Sequence, residues 1–152
     1  MATIYTDLTR ASEDAKDRNE DGDKPFGDLR IARASYTLVD TESVADIIDI
    51  VKLPEGSTVI PHLSYVVLEN PGTSLTLDIG DDDATTAVDP DRYADALDVA
   101  AGGAISFGVT GVAADAPYTL QAQSTIQATV MVESTLTAGA LVVFYVAYVT
   151  NS

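Results

Sequence analysis

The feature that most constrains this chain is alternation. From about residue 29 to residue 149, apolar and polar residues take turns in run after run, with a single interruption that suits a helix. Successive side chains of an extended strand point to opposite faces, so a period of two marks strands. The cleanest case is "SLTLDIGD" (74–81), where Leu75, Leu77 and Ile79 fall on one side. "DLRIARASYTLVD" (28–40) alternates through Leu29, Ile31, Ala34, Tyr36 and Leu38, with one slip of register. "SVADIIDIVKLP" (43–54) predicts a second strand that stops at Pro54, and "EGS" a turn. "TVIPHLSYVVLE" (58–69) predicts a third strand, bent or placed at an edge by Pro61.

The second half reads the same way. "NPG" (70–72) is a turn signal. "GGAISFGVTG" (102–111) is a short strand between glycines, followed by "APYTLQAQ". "STIQATVMVES" (124–134) alternates through Ile126, Ala128, Val130 and Val132, and "LTAG" turns the chain. "ALVVFYVAYVT" (140–150) is β-branched and aromatic on both faces, which predicts a central strand with both sides covered. One stretch breaks the pattern: "DDDATTAVDPDRYADAL" (81–97), where Pro90 predicts the first turn of a short helix. About eight strands without a βα rhythm predict an all-β fold, an antiparallel jelly-roll-like β-sandwich with an extended N-terminal arm. An immunoglobulin-like sandwich is the alternative, but the chain has neither a Trp nor a Cys pair for its core.

At 152 residues one domain is expected, divided into an arm (1–28) and a sandwich (29–152). Hydrophobic residues make 46% of the chain, enough for a core, whereas residues 7–28 are polar and suit a segment ordered only against a partner. The absence of cysteine excludes disulfides and thiolate metal sites. "MATIYTDLTR" lacks the basic and apolar regions of a signal peptide, and no uncharged run is long enough to span a bilayer.

The net charge of −16 argues against nucleic acid and anionic membranes as partners. The charge is unevenly placed. Arg10, Lys16, Arg18, Lys24, Arg30 and Arg33 lie in the first 33 residues; only Lys52 and Arg92 follow, against sixteen acids. The head therefore sums to −2 and the body to −14. Such a body repels its own copies while the head can approach another surface. Scarce lysine and abundant aspartate fit a halophile source, where salt screens the charge, and fit biased base composition equally.

Candidate chemistry is thin. "DRNEDGDKPFGD" (17–28) spaces Asp17, Asn19, Asp21, Asp23 and Asp28 around Gly22, as a calcium loop would. Against calcium, the twelfth position is Asp28 in place of the usual Glu, Lys24 and Pro25 interrupt the loop, and no amphipathic helices flank it. A solvated acidic arm is the favoured reading. The same holds for "DIGDDDATTAVDPD" (78–91), expected to be a solvated loop that binds cations loosely at most. His62 is the only histidine and is expected to be packed or surface-facing, not catalytic. No glycine run forms a phosphate loop, and no carboxylate pair stands out for acid–base work. The tyrosines at 36, 65, 93, 118, 145 and 148 are expected in the core or at interfaces, with a sugar-binding platform as the minor reading.

The order of "ADIIDIVKLPEGSTVIPHLS", the pair "LTLDIGD" and "DRYADAL", and the closing "TLTAGALVVFYVAYV" resembles head decoration (cement) proteins of tailed viruses, over roughly residues 29–149. The opening "MATIYTDLT" is similar too, while the acidic stretch 10–28 is longer and more charged than in that group. The resemblance implies a non-enzymatic jelly-roll protein without cofactor, made in the host cytoplasm and carried on the outer capsid surface of the virion. It implies as partners the major capsid protein and further copies of itself, as homo-dimer or homo-trimer. Tyr5, Arg10, Lys16, Arg18, Lys24, Phe26 and Arg30 would then be the contacts of the arm. The competing expectation is a calcium-dependent binding module for carbohydrate or a cell surface, resting on the 17–28 loop and the tyrosines.

Overall fold

Ten strands form in the computed structural model, which describes residues 28–39, 41–83, 85, 88–109 and 116–150. They are β1 (Asp28–Thr37), β2 (Ile47–Leu53), β3 (Ser57–Val59), β4 (Tyr65–Leu68), β5 (Gly72–Asp81), β6 (Asp89–Asp98), β7 (Gly103–Ser106), β8 (Tyr118–Thr119), β9 (Ser124–Leu136) and β10 (Leu141–Thr150). All pairings are antiparallel. One sheet runs β7-β4-β10-β3-β8 with β1 on the other edge of β10, and the second runs β2-β9-β5-β6.

The count of ten reduces to eight lanes. β3 and β4 are two halves of one lane, because β10 pairs β4 through Val142–Tyr145 and β3 through Tyr148–Thr150 on the same side. β7 and β8 likewise continue that sheet as one split lane, on β4 and β3 respectively. In chain order the lanes then run 1-8-3-6 in one sheet and 2-7-4-5 in the other. That is the strand order of a jelly roll, as the alternation predicted.

The third predicted strand is the one that splits. Pro61 cannot donate to the ladder, and Pro61–Leu63 form a single 3-10 turn. Ser64 closes the gap: its hydroxyl donates to the Ile60 carbonyl (2.9 Å) and accepts the Ala147 amide (3.0 Å), which would otherwise be buried without a partner. The core between the sheets is built from the alternating positions read in the sequence. Leu75, Leu77 and Ile79 of β5 meet Ile126, Ala128 and Val130 of β9, with Val142, Phe144 and Val146 of β10 opposite. Val132 leaves this series. The register shifts between Thr76 and Leu77, and past it Val132 is exposed.

The predicted helix after Pro90 is absent. Residues 89–98 form β6, hydrogen-bonded to β5 with two register shifts. Tyr93, Ala94 and Leu97 are buried, which a strand edge provides and a short solvated helix would not. At the bulge, Ala96 takes φ +51° and its amide donates to the Asp78 carboxylate (2.8 Å). Gly80 admits the start of β6: a Cβ there would collide with the Asp89 carbonyl oxygen.

Three described acids of the run beside it, Asp78, Asp81 and Asp83, are not solvated either. Asp81 has a fully buried side chain whose carboxylate accepts the Tyr93 hydroxyl (2.6 Å) and lies 2.9 Å from the Arg92 guanidinium. Its other oxygen accepts the Asp83 amide, and Arg92 lies over the Tyr118 ring at 3.9 Å. Burial, then the bond to Asp81, push the Tyr93 hydroxyl far above its ordinary pKa.

Three variants test these joints. Ser64→Ala leaves the Ala147 amide without its partner, and chemical denaturation should show a loss of about 1–3 kcal/mol. Arg92→Met strands the Asp81 charge and should cost about 3–5 kcal/mol. Tyr93→Phe should be destabilising at pH 7, but its deficit should shrink above pH 10. There the unfolded wild type releases a proton that folded Tyr93 keeps, so wild-type stability falls by about 1.4 kcal/mol per pH unit more than that of the variant.

Candidate interaction surface

The outer face of the β1–β10 sheet is the least expected part of the surface. Alternation places Val142, Phe144 and Val146 inward, so Leu141, Val143, Tyr145, Ala147 and Val149 point outward. The registers then set the neighbours on that face. Leu29 lies opposite Val149, Ile31 opposite Ala147, and Arg33 opposite Tyr145 on β1; Tyr65 lies opposite Tyr145 and Val67 opposite Val143 on β4. No second layer of described residues packs here. Leu29 is 55% exposed, Ile31 63%, Leu141 47% and Tyr65 40%. The expectation of a central β10 holds for its pairing, but only its inner side is covered by the opposing sheet. Val143 and Ala147 are buried between their neighbours.

Burial of a large apolar side chain stabilises by about 1.5–3 kcal/mol, so a contiguous set left in water marks an interaction site. At one end of this face a groove of about 550 Å³ opens between the β4–β5 turn and the β9–β10 hairpin, lined by Val67, Glu69, Thr137, Leu141 and Val143. The face carries Arg33 and no carboxylate from its own ladder positions, although the whole chain carries −16. Sequence reading reached its parts, a double-sided apolar β10 and exposed alternation in 28–40, without joining them. The registers that join them pair residues a hundred or more positions apart.

Of the residues predicted to act, only Asp28 and Arg30 are described. Tyr5, Arg10, Lys16, Arg18, Lys24 and Phe26, and the calcium candidates Asp17, Asn19, Asp21 and Asp23, fall outside the described residues. Asp28 opens β1, its carboxylate 3.6 Å from the Arg30 guanidinium, both exposed. In the 78–91 run, Asp83 accepts the Thr85 hydroxyl and amide and the Gln121 amide; the hydroxyl foremost holds its carboxyl below the usual range. Burial raises the Asp78 carboxyl, and the hydrogen bond that a protonated Asp91 donates to the Asp89 carboxylate raises that of Asp91. These carboxylates serve turns and bulges, and no group of three or more metal-ligating side chains converges among the described residues. His62 is exposed, its ring lying on Gly108, where a Cβ would strike the imidazole. Tyr93 is buried and Tyr65 exposed, and the tyrosines form no common platform: Tyr65 and Tyr145 lie outside while Tyr36, Tyr118 and Tyr148 pack on the core.

No protein-family model matches this chain, and no curated protein matches it. Solved structures do. One is the "Acidic stable capsid structure of Helicobacter pylori bacteriophage KHP30", in which a chain superposes with a TM-score of 0.54 at 18% identity, covering 82% of this chain and 89% of that one. Another is the "Cyanophage Pam1 capsid asymmetric unit", with a TM-score of 0.55 at 22% identity over 83% of this chain and 88% of that one. This jelly roll is thus a fold shared with chains of two phage capsid structures.

Proposed function

We propose that this chain is a structural component of a tailed-virus head: a decoration protein that sits on the outer capsid surface and clamps neighbouring copies of the major capsid protein. The observation that carries this reading is the apolar outer face of the β1–β10 sheet on a strongly acidic chain. Such a face needs a partner, and the fold's likeness to chains in phage capsids supports a shell as that partner. The polar arm, with Arg10, Lys16, Arg18 and Lys24, reaches a second contact, so that one copy spans a seam between subunits. Two linked contacts bind far more tightly than either alone, because the second forms at high effective concentration. Binding only to the expanded shell stabilises that state by mass action. No step of bond chemistry is involved.

Expanded heads lacking this protein should bind it when added back and should then resist heat better. Tyr65→Asp together with Leu141→Lys, on the exposed face, should weaken head binding tenfold or more, about 1.4 kcal/mol, without changing the melting temperature of the free protein. Co-sedimentation with heads measures this. No binding of the wild type to such heads would remove the reading.

A further inference from the structure

A jelly roll leaves the edges of its two sheets open, and an open edge pairs readily with another chain. Three of the four edge lanes here carry devices against it. β2 has seven residues, a bulge between Asp49 and Val51, and the charges of Asp49 and Lys52. β6 contains Pro90, two register shifts and four aspartates. The remaining lane is cut into β7 and β8, four and two residues long.

β1 lacks the bulges, the proline and the break, though it carries charges. It is ten residues long, pairs with β10 without a register shift, and contains neither Pro nor Lys. Its outward side chains include the most exposed large apolar residue of the described chain, Ile31. Its only charges are Asp28, Arg30 and Arg33, so it is the one edge lane with a net positive charge in an otherwise acidic body.

We propose that β1 is a self-recognition edge: it pairs antiparallel with β1 of a second copy about a two-fold axis through Ile31, fusing two sheets into one. Antiparallel pairing of identical strands requires an axis perpendicular to the sheet, which keeps like faces together. One residue must then oppose itself. Centring on Arg30 or Arg33 sets arginine against arginine, which is destabilising. Centring on Ile31 opposes Ile31 to Ile31, Leu29 to Arg33, Arg30 to Ala32 and Asp28 to Ala34. This register covers the exposed isoleucines and lays each Arg33 stem along a leucine. The outer apolar faces of both copies become continuous, doubling the proposed capsid-binding face. The geometry closes at two copies, so it assigns a dimer and not a trimer.

The chain has no cysteine, so introduced ones report register directly. Directly opposed strand residues have Cα atoms within disulfide range, whereas Leu29 or Ser35 of the two copies would lie several residues apart. In the purified full chain, Ile31→Cys should oxidise to a covalent dimer, and Leu29→Cys and Ser35→Cys should not. Sedimentation velocity should show the wild type as a dimer at tens of micromolar. Ile31→Lys should be monomeric with an unchanged circular dichroism spectrum, and Met131→Lys, on the other sheet, should remain dimeric. A monomeric wild type, or a cross-link through Leu29→Cys or Ser35→Cys in place of Ile31→Cys, would overturn the proposal. Heads are absent from this experiment, so its failure leaves the capsid reading standing, and failure to bind heads leaves the dimer standing.

Discussion

The structure depends on β10 being paired along both edges. One edge carries the whole of β1, and the other carries the two halves of the lane that Pro61 breaks. Its inner side chains, Val142, Phe144 and Val146, sit at the centre of the core, and its outer ones hold together a surface that no second layer of described residues covers. A strand apolar on both faces is ordinarily sealed between two layers. Here one face builds the core and the other is the face of the proposed contact, so the same ten residues specify the fold and carry the proposed function.

The second organising constraint is electrostatic. This chain places a few of its many acids indoors, where fixed donors meet them. Asp81 faces the Arg92 guanidinium, the Tyr93 hydroxyl and the Asp83 amide; Asp83 meets Thr85 and Gln121. Arg92 is one of only two basic residues after position 33, and its partner is eleven residues earlier on the neighbouring strand. The local run DDD is therefore a latch between β5, β6 and the β8–β9 connection. Glu42 and Asp78 are buried as well, and the other described acids are exposed or partly exposed and keep the body negative.

Much of this was legible in the chain. The alternation of β5 and β9, the double-sided β10 and the turns at 55–57 and 70–72 gave the sandwich and its jelly-roll count of eight. What misled was local chemistry overridden by distant partners. Pro90 and the run Arg92–Leu97 suit a helix in isolation, but pairing with β5 and burial of Tyr93, Ala94 and Leu97 outweigh that propensity. Asp81 looked solvated because nothing in an acidic string announces that Arg92 will fold back onto it. Val132 kept perfect spacing and still fell outside, since a single bulge exchanges the faces beyond it. The outer face was legible only in fragments, because alternation shows which residues share a side but not which strands lie next to one another.

One consequence of the lane order concerns time. Among the described residues the first strand finds its one ladder partner in the last, a hundred or more residues away, and both halves of the broken lane pair with that same strand. Loop closure over such spans is slow, and during synthesis it cannot begin until the ribosome has finished the C-terminal segment. Nascent chains therefore hold β1 unpaired and β4 paired only with β7 until β10 has been made, and the negative charge of the body opposes contact between such chains while they wait.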